Sequence, residues 1–384
     1  MYSLAEILPV IYNAGFIILF VLWLLRKRLQ VSERINRIPV SYLWSVSLCF
    51  FFLMTIANFT FLVTDVDDAI TSAVKAFLTG ANPYADHVVL HHLPDGEWIL
   101  SVYHYFPPDL LVYSTMFLLL LPINVLVEML GFETAWLFIA NLILAGIIFY
   151  LISLMVPLSL KKRMPPLFLI LVSPFLYNNA ILMLLFYTCA VYAMNKLVHW
   201  SEKRNVVVQT FNFLSAGVKY MTGVFVLIEF IHELVSSVKG RKVKNLLPYV
   251  IAGTVFALLV LPFGFYTVFE ATILYQVHPS YRERVAESNG PLLVEILSLL
   301  NLGSLYLVFF ILIGIIALIL VLTLFRSIHE QQVVFSFILM FILPFYGTEL
   351  FIIPLFAIFY VEFLKLNNSF VKIIKEENPM FIEN

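Results

Sequence analysis

Three carboxylates stand almost together at Asp65, Asp67 and Asp68, directly after a long apolar run. A carboxylate beside apolar surface can take a proton from an attacking hydroxyl, a contribution of about 10²–10⁴ in rate. The same acids open Ala69–Leu78, which reads as a helix, and an acid in a first turn gains about 0.3–1 kcal/mol from the helix macrodipole. Capping accounts for one of them. General-base chemistry is the expectation for at least one of the three, and the spacing leaves open which.

Cations that could face such a base come from later in the chain. Lys219 interrupts apolar sequence between Phe211–Leu214 and Val224–Ile228, and Arg282 and Arg284 fall in His278-Pro279-Ser280-Tyr281-Arg282-Glu283-Arg284. A guanidinium offers a fork of donors that matches phosphate oxygens, and an ammonium is a compact point charge. These three could converge on one anion. The plainer alternatives are loop arginines paired with Glu283 or Glu287 or touching lipid headgroups, and a buried pair between Lys219 and Glu349.

Around the acids, Gly80-Ala81-Asn82-Pro83-Tyr84 reads as the end of a helix by the usual glycine and proline punctuation. Tyr103-His104-Tyr105-Phe106-Pro107-Pro108 reads as a rigid extended entry to the next helix. Asn82, Tyr84, His104, Tyr105, His278 and Glu349 are the further candidates for holding substrate. No metal is expected: His91 and His92 are adjacent, a poor chelating pair, and nothing resembles HExxH. Cys49 and Cys189 both lie in apolar runs without a CxxC partner, so neither a disulfide nor a zinc knuckle is expected.

The elements that must carry these residues are set by an extreme composition. Apolar residues make up 62% of the chain and charged residues 12%, against roughly 45–50% and 25% in soluble domains. The expectation is an all-α polytopic membrane protein, one domain over residues 1–384, with about 10–13 membrane segments. Long apolar runs occur at Ile7–Leu25, Val40–Val63, Ala135–Val156, Leu246–Phe263 and Gly303–Phe325. The first lacks a basic leader and is followed by Arg26-Lys27-Arg28, so it reads as a span with the N-terminus outside, not as a cleaved signal.

Lysines and arginines collect in short clusters at Arg26–Arg37, Lys161–Arg163, Lys196–Arg204, Lys239–Lys244, and Arg326 with the tail from Lys365. The positive-inside rule makes these cytoplasmic, and their flanking positions argue against nucleic-acid binding. Residues 64–108 and 264–300 are then the two long outer connections. The second has an interfacial helix expected over Thr267–Gln276. Of 23 lysines and arginines, only Lys75, Lys219, Arg282 and Arg284 break the rule. A cation in the membrane costs roughly 2.5–3.5 kcal/mol on insertion scales and calls for an anionic partner or a function.

Three stretches between clusters, Pro165–Lys196, Val206–Glu233 and Gln331–Glu362, are apolar enough for two short helices each but not two full spans. Their middles, at 173–179, 217–220 and 344–349, should break. Broken backbone survives at membrane depth only beside protein or a water-filled cavity, so these pairs are expected to build an outward-facing cavity.

In this order the residues resemble the polyprenyl-phosphate-sugar-dependent glycosyltransferases of the GT-C superfamily, and most nearly the mannosyltransferase branch of glycosyltransferase family 87. Asp65, Gly80–Tyr84 and Tyr103–Pro108 are similar to the family's early outer-loop acid, Gly-x-Asn-Pro-Tyr turn and Tyr-x-Tyr-Pro-Pro entry. Lys219 is similar to its intramembrane lysine, and Pro262-Phe263 through Arg282 to its Pro-Phe exit, interfacial helix and arginine. Ala69 stands where a tyrosine is usual, and Asp109 where an apolar residue is commoner. The resemblance implies a GT-C-like bundle in the cell or ER membrane with its site on the non-cytoplasmic side. It implies a lipid-linked donor, polyprenyl (dolichyl) phosphate mannose, a lipid or glycan acceptor, inversion at the anomeric carbon and no cofactor. The rival expectation is a transporter or flippase of a lipid-linked sugar, whose broken helices would come with an inverted repeat.

Overall fold

The computed structural model describes residues 18, 20, 21, 23–25, 37–59, 80, 82, 88–90, 98–100, 136–156, 161–173, 176, 180–196, 201–218, 222–240, 246–272, 292–302, 305–325 and 328–342. This part of the chain is mostly helical. In order, the helices are α1 (Val40–Phe59), α2 (Trp136–Met155), α3 (Met164–Val172), α4 (Ala180–Lys196), α5 (Ser201–Val218), α6 (Gly223–Gly240), α7 (Leu247–Val260), α8 (Phe265–Thr272), α9 (Leu292–Leu299), α10 (Tyr306–Leu324) and α11 (Ile328–Ile342). A 3-10 turn, Leu261–Phe263, continues α7. The expected apolar runs at Val40, Ala135, Leu246 and Gly303 each became helix within a few residues of their sequence limits, because an uninterrupted apolar stretch has little competing local structure, and the prolines of the Leu246 run, Pro248 and Pro262, fall in first turns, where proline is tolerated. The run at Ile7–Leu25 lies largely outside the described residues.

Non-helical structure appears inside the first polar connection. Strands β1 (Val88–Leu90) and β2 (Trp98–Leu100) pair antiparallel with Val88 opposite Leu100, Val89 opposite Ile99 and Leu90 opposite Trp98. Valine, isoleucine and tryptophan favour a pleated surface, and the expectation of a purely helical chain passed over this short hairpin.

Helix α3 ends at Val172 and α4 begins at Ala180, on either side of the expected break at 173–179. Helix α5 runs through Gly217 and Val218, the first half of the break expected at 217–220, and residues 219–221 before α6 lie outside the described residues. Helix α11 ends at Ile342, ahead of Pro344, whose ring disfavours helix in the residue before it. One expectation needs correcting: α5 and α6 are not short. Each has 18 residues, about 27 Å at the helical rise, because polar residues at their far ends extend the helix beyond the apolar stretch.

Helix α4 is central. Ile181, Leu182, Met183 and Leu184 are all buried, so its first turn is enclosed on every side, with α2 and α5 packed against it. The main core continues through Ile148 and Ile152 of α2 and Phe168 of α3 to Phe225 of α6 and Phe337 of α11. Phe225 stacks on Tyr187 with ring centres 5.1 Å apart. Outside this core the usual polarity is reversed. Trp44 and Phe52 on α1, Ile143 and Ile147 on α2, and Ile315 and Ile319 on α10 are exposed, while Ser47, Asn141, Thr188, Ser215, Gln331 and Gln332 are buried. One described helix, over Phe138–Met155, is long and apolar enough to cross a membrane, and shorter apolar helices occur at Val40–Leu53, Ile181–Met194, Leu247–Phe263 and Val308–Leu324.

Candidate functional site

Of the candidate site residues, Asn82 is the one whose placement is described. Asp65, Asp67, Asp68, Tyr84, His104, Tyr105, Lys219, His278, Arg282, Arg284 and Glu349 lie outside the described residues, as do His91 and His92. What the fold supplies is the framework on which the neighbouring sequence hangs.

At one end of that framework, the Asn82 side chain donates through Nδ2 to the Phe263 carbonyl oxygen at 2.9 Å, across 181 residues of chain. Gly80, just before it, makes a turn with φ +85°, consistent with the helix stop expected there. Phe263 closes the 3-10 turn, and Gly264 follows at φ +81° and ψ 119°, a backbone conformation that side chains with a Cβ rarely take. That corner turns the chain from α7 into α8, which therefore begins at Phe265, two residues ahead of the expected interfacial helix. Residues 273–276 of that expectation lie outside the described residues. Phe265 and Tyr266 are exposed at the start of α8. The first polar connection thus meets the end of the Leu246–Phe263 run, one residue before the second connection begins, with Asn82 only half-buried.

The opposite end of α7 follows the basic cluster at Lys239–Lys244. Arg163, of the Lys161–Arg163 cluster, donates through Nη1 to the carbonyl of Ile38, the residue that follows the Arg26–Arg37 cluster, at 2.6 Å. Ser47 of α1 donates to Pro166 O of α3 at 2.8 Å, fastening the same pair of helices.

A second polar centre was missed by reading the sequence. Glu229 on α6 accepts from Gln209 Nε2 at 2.9 Å and Asn212 Nδ2 at 3.4 Å, both on α5, through Oε2. Its other oxygen, Oε1, accepts from Gln332 Nε2 of α11 at 3.0 Å. Beside it, His232 Nε2 and Gln331 Oε1 are 2.6 Å apart; an amide oxygen only accepts, so the histidine carries its proton on Nε2. Gln331 in turn donates to Phe325 O at 2.6 Å. Glu229 lies about 9 Å along α6 from Gly223, and Asn212 about 9 Å along α5 from Val218. The signal in the sequence was a carboxylate directly after the apolar Val224–Ile228, the kind of residue that marks function when a segment is buried in lipid. Within Val206–Glu233, which reads as one mostly apolar stretch, a single acid near the end does not stand out. Among the described residues no group of three His, Cys, Asp or Glu side chains could hold a metal.

No family model, curated protein or solved structure matches this chain.

Proposed function

We propose that the chain is a polytopic integral-membrane glycosyltransferase with a GT-C-like bundle. In this reading it transfers mannose from polyprenyl (dolichyl) phosphate mannose to a lipid or glycan acceptor on the non-cytoplasmic face. Two observations support the membrane part. Large apolar side chains face outward on α1, α2 and α10 while amides and hydroxyls are turned inward, the arrangement favoured when hydrocarbon is the surrounding solvent. The Arg163–Ile38 bond brings two basic clusters together at one end, as a common cytoplasmic side requires.

The observation that carries the transferase reading is the Asn82–Phe263 bond. It joins Asn82, in the connection whose sequence carries Asp65, Asp67 and Asp68, to Phe263, one residue before the connection whose sequence carries Arg282 and Arg284. In the proposed reaction one of the three aspartates removes the proton from the acceptor hydroxyl as that oxygen attacks the anomeric carbon. The bond from the anomeric carbon to the phosphate oxygen breaks with inversion, and the phosphate monoester leaves with the bonding pair. Lys219 with Arg282 or Arg284 holds the charge that grows on it. The donor's tail stays in the bilayer, and no cofactor is called for.

The test is transfer of radiolabelled mannose from polyprenyl phosphate mannose to extracted lipids and glycans by purified protein. No transfer by the wild type, or full transfer by each of Asp65→Ala, Asp67→Ala and Asp68→Ala, would sink the mechanism. A transporter or flippase of lipid-linked sugars is the second reading, and the Glu229 centre is what favours it, since acids within membrane helices mark ion and proton pathways in pumps and transporters. Movement of labelled donor across vesicle membranes without glycosidic transfer would select it.

A further inference from the structure

We infer that Glu229 is a positioning residue, whose carboxylate locks α5, α6 and α11 into the single arrangement that a donor phosphate requires; this rests on the transferase reading. The lock is built from three helices. Gln209 and Asn212 reach Glu229 from α5, and Gln332 reaches it from α11. Gln332 also donates to Phe225 O of α6 at 3.3 Å, and the His232–Gln331 contact adds a second tie between α6 and α11.

These are the helices that run into the chain positions singled out for the site. Helix α5 ends at Val218, the residue before Lys219, and α6 resumes at Gly223. Helix α11 ends at Ile342, shortly before the 344–349 stretch with Glu349. Apolar faces alone let helices slide or rotate against one another at small cost. A carboxylate accepting from amides on two neighbouring helices has one low-energy register, because any slip strands a buried donor. Polar groups of this kind add little stability over a well-packed apolar replacement, and setting register is their best-attested use. Gln209 is itself buried, and its Oε1 has no hydrogen-bond partner among the described residues. With the Gln209 and Asn212 amides turned over, a neutral amide at position 229 could donate to their oxygens while still accepting from Gln332, and keep the register.

The test uses full-length protein in lipid nanodiscs. Glu229→Leu leaves the amides of Gln209, Asn212 and Gln332 without their acceptor, and Glu229→Leu/Gln332→Leu removes the α11 donor as well, so that only the two α5 amides are stranded. The expected result is a folded double variant whose kcat for mannose transfer falls at least 10-fold while KM for the donor changes less than 3-fold. Misplaced phosphate contacts weaken the transition state first. Glu229→Gln is expected to stay within 3-fold of wild type. Equal losses in Glu229→Gln and the double variant, or losses that follow only the folded fraction, would overturn the role.

A second readout does not need turnover. Spin labels at Asn205→Cys on α5 and Ile328→Cys on α11, both exposed positions, are placed in a Cys49→Ser/Cys189→Ala background. The expected outcome is one narrow distance distribution in wild type and Glu229→Gln, and a broadened or shifted one in the double variant. Identical distributions in all three refute the lock. If wild type transfers no sugar, the transferase reading falls by itself, and the label distances still decide whether Glu229 sets the register.

Discussion

Gly217 makes a sharp test of how α5 lies on α7. It stands in the last turn of α5, next to the sequence that carries Lys219, and a Cβ built there would run into the ring edge of Phe256, with Cδ2 at 3.1 Å and Cζ at 3.2 Å and Cε2 closer still. The ring is half-buried and packs against the main core, so swinging aside gives up part of that packing. Overpacking of this kind costs about 1–3 kcal/mol. Alanine gains up to about 1 kcal/mol over glycine in a helix interior, and less in a final turn, so the clash wins. Gly217→Ala should destabilise by about 1 kcal/mol and Gly217→Val, bulkier and without the helix gain, by about 3 kcal/mol.

Gly146 on α2 and Gly314 on α10 are internal controls, since a Cβ at either meets nothing within 4 Å. Their alanine variants should be neutral or slightly stabilising. The assay is equilibrium unfolding in mixed detergent micelles, followed by tryptophan fluorescence, with Phe256→Leu completing a double-mutant cycle. The cycle should return a favourable coupling of about 0.5–3 kcal/mol, because the smaller side chain makes room for the methyl group. If Gly217→Ala behaves like Gly146→Ala and the coupling is within error of zero, the close approach of α5 and α7 is wrong.

Other perturbations separate fold from chemistry. Removing the Asn82 donor in Asn82→Ala should cost about 0.5–1.5 kcal/mol, and Asn82→Asp should cost more, because a carboxylate cannot donate to the Phe263 carbonyl; unfolding curves of the two variants decide the order. Gly264→Ala forces a Cβ into a conformation worth about 1–3 kcal/mol of strain and should lower stability and, on the proposed function, transfer as well, which a parallel measurement of both would register. On the proposed transfer reaction, substituting by asparagine whichever of Asp65, Asp67 and Asp68 serves as base should lower kcat by about 10²–10⁴ with the unfolding transition unchanged, whereas the other two should give smaller effects in the same single-turnover assay.

Much of the helical framework was legible before any coordinates, because long apolar runs have few structural options. Limits read at Val40, Ala135 and Leu246 fall within a residue of the observed helix starts, and breaks expected near 173–179 and 217–220 are where α3 and α5 end. Short elements were less legible. The β1–β2 hairpin is too brief for its alternation to stand out, and the start of α8 depends on the Gly264 corner more than on the amphipathic pattern that followed it.

The sequence by itself determined which residues have the chemistry for a base and a phosphate cradle, since functional groups belong to residue types and need no fold to be named. It also determined where apolar helices run, because hydrophobicity and proline act over neighbouring residues. Only the tertiary structure decided which distant segments meet. Asn82 reaching Phe263 and Glu229 gathering Gln209, Asn212 and Gln332 are contacts across helices. Nothing in local spacing encodes them, because they arise from how whole helix faces pack and rotate.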